Sequence, residues 1–210
     1  PSKITATQLK GREKDEEAAE NTIPDRDHVY SWRRPSFVSA KHSGKDYGNA
    51  IHKALQYIRY DACNDENSVR AEVERLAQCR FLTQEQAAAI DCEKIVRLFA
   101  TELGQKLRSN AEVLREFKFS ILEDAGRYSD GLEGEQILLQ GVVDCALFEP
   151  DGITIVDFKT DRIRESDLSS VVEKYIHQVD AYAQALARIY EHRVKARYLY
   201  FFEIDRLISV

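Results

Sequence analysis

The sequence predicts a mixed α/β fold: a central mixed sheet flanked by helices, with an N-terminal helical block ahead of it. Three observations predict it. Between residues 47 and 109 apolar residues recur at intervals of three and four, with no alternating segment. Residues 140–161 read as a β-hairpin, two apolar runs around Glu149-Pro150-Asp151-Gly152. The run 153–158, the helical stretch 167–190 and the run 196–203 have the lengths of a strand, a right-handed crossover helix and a parallel neighbour.

With 210 residues, 43% of them apolar and 31% charged, the chain can build one large domain around a substantial core. Residues 1–30 are polar and acidic and read as a linker from a preceding region, leaving 31–210 as the domain. The chain starts at Pro1, contains no methionine and stops in the apolar run 206–210, so it is expected to be an excised piece of a longer polypeptide. No apolar run reaches the roughly 20 residues a membrane span needs, and no signal peptide is expected. Cys63, Cys79, Cys92 and Cys145 form no Cys-x-x-Cys pair, which argues against zinc, an iron–sulfur cluster or a disulfide framework and suits a reducing cytoplasm.

The net charge of −6 disfavours nucleic acid as a partner, but the charge is unevenly spread. Residues 31–60 hold Arg33, Arg34, Lys41, Lys45, Lys53 and Arg59 against Asp46 alone, with Trp32, Tyr47 and Tyr57 between them. That mixture is either a phosphate-contacting surface or a solvated helix face and loop.

In chain order, residues 47–60 form a helix with the stripe Ile51, Leu55 and Ile58, and His52 lies beside the stripe. Residues 68–79 form a second helix on Val69, Val73 and Leu76. Thr83 and Gln86 make a capping box, from which helical pattern runs to about Ser109 with Gly104 as the expected break or bend. Residues 112–122 alternate as a strand: Val113, Phe117, Phe119 and Ile121 on one face, Leu114, Glu116, Lys118 and Ser120 on the other. The long helix 167–190 is capped by Ser166, and Tyr175, Gln178 and Tyr182 share one of its faces. Residues 207–210 are a candidate partner for the strand before them.

The hairpin carries the chemistry. With Pro150 and Asp151 central in the turn, Asp144 falls opposite Asp157, within a one-residue bulge. Val142, Asp144, Ala146 and Phe148 share one face of the first strand, and Ile153, Ile155, Asp157 and Lys159 one face of the second. Two carboxylates so close repel unless a cation lies between them. The plain alternative is a surface ion pair of Lys159 with Asp157 or Asp161.

The ordered set His52, Glu116, Asp144, Asp157-Phe158-Lys159 and Tyr175-x-x-Gln178-x-x-x-Tyr182 resembles the motifs of RecB-type nucleases in the PD-(D/E)XK superfamily, which have the restriction-endonuclease-like fold. The stretches Trp32-x-x-Pro35-x-Phe37, Tyr47-Gly-Asn-Ala-Ile-His52, Arg115-Glu-Phe-Lys-Phe119 and Val156-Asp-Phe-Lys-Thr-Asp-Arg162 resemble AddA-type nuclease domains over essentially the whole chain. Asn49, Val179 and Ile204-Asp205 depart from that pattern without touching a proposed catalytic group.

The resemblance implies a Mg²⁺-dependent deoxyribonuclease, with Mn²⁺ as an alternative and no iron–sulfur cluster. Asp144, Asp157, the Phe158 carbonyl and His52 would ligate metal. Lys159 would stabilise developing phosphate charge, and Glu116 would serve a second metal or orient water. Gln178, Tyr182 and Tyr175 would hold DNA phosphate or brace Lys159, with Lys53, Arg33 and Arg34 as further DNA contacts. The implied partners are DNA, mainly single-stranded, the rest of a helicase chain and an AddB-like subunit, with no membrane. The implied setting is a bacterial cytoplasm, at the nucleoid. The alternative from another class is a catalytically silent DNA-binding or scaffolding domain of the same fold.

Overall fold

The computed structural model describes residues 3–6, 44–109, 112–127 and 133–210. Arg33, Arg34, most of the expected linker and most of the basic loop lie outside the described residues. The elements are β1 (Lys3–Thr5), α1 (Gly44–Tyr57), α2 (Glu66–Gln78), α3 (Gln84–Ala89), α4 (Cys92–Ala100), α5 (Glu102–Ser109), β2 (Val113–Asp124), β3 (Gln136–Glu149), β4 (Gly152–Lys159), α6 (Leu168–Tyr190), β5 (Val194–Phe201) and β6 (Arg206–Ser209). Lys3–Thr5, assigned by its composition to a linker, is a strand because its backbone pairs with β3.

The six strands form one mixed sheet in the order β1-β3-β4-β5-β6, with β2 also paired to β3. β4 and β5 run parallel, joined by α6, as the crossover lengths predict. β1 pairs with residues 138–140 of β3 and β4 with residues 145–149, while β2 pairs along nearly the whole strand. A strand has two edges, so β1 and β4 share one edge of β3 and leave a fork at residues 141–144.

Two apolar layers cover the sheet. Alternation along β4 sends Val156 and Phe158 to the helical block, where they join Ile51, Leu55, Ile95 and Phe99. Ile153 and Ile155 face α6 and meet Val179, Ala185 and Leu186. All eight residues of β4 are buried, as a strand covered on both faces requires. Burial of each large side chain contributes about 1.5–3 kcal/mol.

The helical block differs from the sequence pattern in its breaks. The Thr83–Gln86 capping box is present. The helix then stops at Ile90 and again at Thr101, because Asp91 accepts from Glu93 N (3.1 Å) and Thr101 Oγ1 from Gly104 N (2.9 Å), each starting a new helix. Gly104 lies inside α5 and does not break it, but the chain bends beside it at Thr101. Its missing Cβ is what allows the tight elbow, since a Cβ there would lie 2.1 Å from the Leu98 carbonyl. Ser166 does not cap α6: it belongs to a 3₁₀ turn, Glu165–Asp167, and donates to Asp167 Oδ1.

The hairpin register agrees with the Pro150-Asp151 turn: Glu149 pairs with Gly152 and Cys145 with Val156. The ladder ends there, one step short of Asp144 and Asp157, so the expected pairing of the two carboxylates is not part of it. Strict alternation fails, however, where β2 and β3 cross the fork. Phe117, Phe119 and Ile121 face α6 with Leu114, whereas Val113 packs against the helical block. In β3, Val143 faces α6, but so do Ala146 and Phe148, so Val142 does not share their face. The cause is Glu116, whose φ of +51° puts a left-handed residue in mid-strand opposite Asp144 and flips the order of faces.

Candidate active site

The site forms at the fork, where α1 meets the interiors of β2 and β3 and the end of β4. Gly48 is buried one helical turn before His52, on the same face. A Cβ at Gly48 would lie 2.7 Å from Thr160 Oγ1, so the glycine lets α1 settle on the chain leaving β4. Arg115 fastens the other end of α1: its Nη1 donates to the Ile58 carbonyl (2.6 Å) and the Leu55 carbonyl (3.3 Å), and its guanidinium stands 4.4 Å from the Tyr60 ring centre. The helix end thus gains a cation where its dipole favours one.

His52 Nδ1 then lies 3.5 Å from Glu116 Oε1 and 3.5 Å from Asp144 Oδ1. Its ring meets Phe158 edge-on, with centres 6.5 Å apart. Ligand atoms of His52, Glu116 and Asp144 lie within 4.8 Å of one another, the sole such group among the described residues. Asp144 Oδ2 also accepts from the Phe158 backbone N–H (2.7 Å), which ties β3 to β4 where their ladder has ended.

Asp157 is not in that group. Alternation along β4 places it on the α6 side with Lys159, whose ammonium touches Asp157 Oδ2. The contact lacks hydrogen-bond geometry and leaves that buried oxygen without a hydrogen-bond donor. Lys159 Nζ donates to Gln178 Oε1 (3.1 Å) and stands 3.7 Å from the Tyr175 ring centre. Gln178 Nε2 in turn donates to Tyr182 Oη (2.6 Å), and Tyr175 Oη to Asp161 Oδ2 (2.7 Å). Tyr175, Gln178 and Tyr182 are all buried.

The electrostatics are those of a site in need of a cation. Burial pushes the Asp157 carboxyl up to about 6 against the pull of Lys159, and the charge on Asp144 adds to the rise. Burial also disfavours a charge on Asp144, but His52, Lys159 and the Phe158 N–H outweigh it and hold that carboxyl below its usual range. For His52, burial works downward, and Asp144 and Glu116 overcome it, raising the imidazole well above its usual value. Without metal, a proton on His52 balances the two carboxylates. One imidazole and two carboxylates at this spacing, with a further buried carboxylate oxygen beside them, fit a divalent metal.

The sequence-predicted residues divide accordingly. His52, Glu116 and Asp144 form the cluster, and Asp157, Lys159, Gln178, Tyr182 and Tyr175 form a second group linked to it through Phe158. Lys53 is exposed on α1 and belongs to neither. Sequence reasoning missed Gly48, Arg115 and Asp161 as positioning groups. A glycine four residues before the histidine was the one local signal.

Relatives share this chain's sequence over most of its length. It is 36% identical over 208 residues to an ATP-dependent helicase/nuclease subunit of Desulforudis audaxviator (strain MP104C), covering 95% of this chain and 17% of that protein. The protein of the same name from Syntrophomonas wolfei is 34% identical over 185 residues, covering 85% of this chain and 15% of its own length. That of Bacillus cereus (strain Q1) is 32% identical over 222 residues, covering 100% and 18%. The chain therefore spans less than a fifth of the curated relatives it matches. Residues 28–207, which include the whole cluster, match the PD-(D/E)XK nuclease superfamily. By that match, the chain belongs to the PD-(D/E)XK nuclease superfamily.

Proposed function

We propose that this chain is a Mg²⁺-dependent deoxyribonuclease domain, able to use Mn²⁺, that hydrolyses phosphodiester bonds mainly of single-stranded DNA. The observation that carries the reading is the convergence of His52, Glu116 and Asp144 beside the buried Asp157–Lys159 pair. His52, Glu116 and Asp144 would hold the metal, with Asp157 and the Phe158 carbonyl adjoining. A divalent ion bound there supplies Lewis acidity at a phosphate oxygen and a lowered pKa for bound water. Lys159 stabilises the negative charge that develops on the phosphate as water attacks. Gln178 holds that ammonium in place, and Tyr182 orients Gln178 by accepting from its amide. The proton on His52 must leave before its nitrogen can ligate.

The relatives' name and the small share of them that this chain spans support a place within a longer helicase–nuclease polypeptide. In that setting a motor would deliver single-stranded DNA to the fork, and an AddB-like subunit would be the partner. Retention of Asp144, Asp157 and Lys159 together favours an enzyme over a silent scaffold.

Digestion of end-labelled single- and double-stranded DNA, with and without Mg²⁺, tests this. Cleavage is expected only with metal. Asp157→Ala should remove cleavage and keep the circular dichroism of the parent. Cleavage by that variant at the parental rate would overturn the role given to Asp157. Lys159→Ala should abolish cleavage while titration calorimetry still shows Mn²⁺ binding. Loss of metal binding instead would make Lys159 structural.

A further inference from the structure

We infer that Asp161 and Tyr175 act as a positioning pair for Lys159, Asp161 fixing the tyrosine ring and the ring face holding the ammonium. This rests on the nuclease reading for its consequence but on geometry for its existence. β4 ends at Lys159, and Asp161 follows two residues later on the chain leaving the strand. Tyr175, one residue of α6, reaches both: its hydroxyl donates to Asp161 Oδ2 at 2.7 Å, and its ring centre lies 3.7 Å from Lys159 Nζ. The ring is buried and packs beside Phe201 with centres 6.5 Å apart, so it has little freedom to turn away.

The arrangement solves a problem of valence. A lysine ammonium has three donors and no acceptor. Gln178 Oε1 takes one of them in a hydrogen bond, and the Asp157 carboxylate lies against the ammonium as an ion pair. A third protein acceptor would complete the shell and leave nothing for substrate. An aromatic face attracts the cation through its quadrupole without consuming a donor in a directed bond. The ammonium is thus fixed in a buried place while one N–H stays available for a phosphate oxygen. Asp161, exposed at the strand end, accepts the phenolic hydrogen bond and so sets the angle of the ring.

Two kinds of measurement test the pair in the 210-residue chain. The first is NMR of the metal-free protein. The ring should shield the Lys159 ε-methylene protons in the parent and in Tyr175→Phe, and the shielding should vanish in Tyr175→Leu. Unshielded methylene protons in the parent would overturn the inference, whether or not the chain cuts DNA. The second is cleavage of end-labelled single-stranded DNA in Mg²⁺. Tyr175→Phe and Asp161→Ala should each lower kcat about 3- to 10-fold with KM and Mn²⁺ affinity unchanged, because each removes the same hydrogen bond. The double variant should fall no further than either single one, and Tyr175→Leu should lose about 30-fold. Losses that multiply in the double variant, or a Tyr175→Leu protein with parental kcat, would show that Tyr175 only packs. An inactive parent would defeat the nuclease reading and leave the NMR result to decide the pair.

Discussion

At Glu72, five donors converge on one buried carboxylate: the Arg59 backbone N–H, two guanidinium nitrogens of Arg59 and two of Arg75. The Arg75 and Arg59 hydrogen bonds outweigh burial and hold this carboxyl down at about 2 against an ordinary 4.5. A depressed carboxylate stabilises the fold above its unfolded pKa and loses that contribution as the pH falls through its folded one. Glu72→Gln should therefore lower the unfolding free energy by about 2 kcal/mol above pH 5, and urea titrations should show the gap closing between about pH 4.5 and 2. At the same scale, the hairpin register was legible in the sequence as far as Cys145 and Val156, because a Pro-Asp turn and a period of two determine it. The direction each carboxylate faces was not. Asp144 reaches toward α1, which is far from it in sequence, and Asp157 lies with Lys159 on the α6 side.

The element that decides the site is α1, since it brings His52 to two strands. Arg115 joins α1 to β2 through two carbonyls that would otherwise lack those partners. Arg115→Ala should lower stability by about 1–3 kcal/mol in denaturant melts and weaken Mn²⁺ binding about 10-fold by calorimetry. An unchanged metal affinity would show that α1 is held by packing alone. Most elements could be read from periodicity, and β4, α6 and β5 were legible down to their crossover. The block 84–109 was not, because its apolar stripe continues while Asp91 and Thr101 start new helices. The face change in β2 and β3 left no mark in the sequence, since glutamate is not a residue that announces a left-handed backbone.

Across the whole molecule, two apolar layers meet in one strand. β4 is buried along its full length, whereas α3 buries no residue. Hydrogen exchange should accordingly be slowest for the amides of Ile153–Phe158 and fastest, among the helices, for Gln84–Ala89. Fast exchange in β4 would mean that the two layers open independently of the sheet. Among the described residues no helix is long and apolar enough to cross a membrane.

The left-handed Glu116 carries a consequence for selection. Its backbone costs about 1 kcal/mol or more that a glycine would not incur. Glu116→Gly should then melt a few degrees above the parent and bind Mn²⁺ more weakly. Stability alone would drive this position toward glycine. On the proposed nuclease reading, a glutamate there trades thermal robustness for a ligand, and selection for activity is what would keep it.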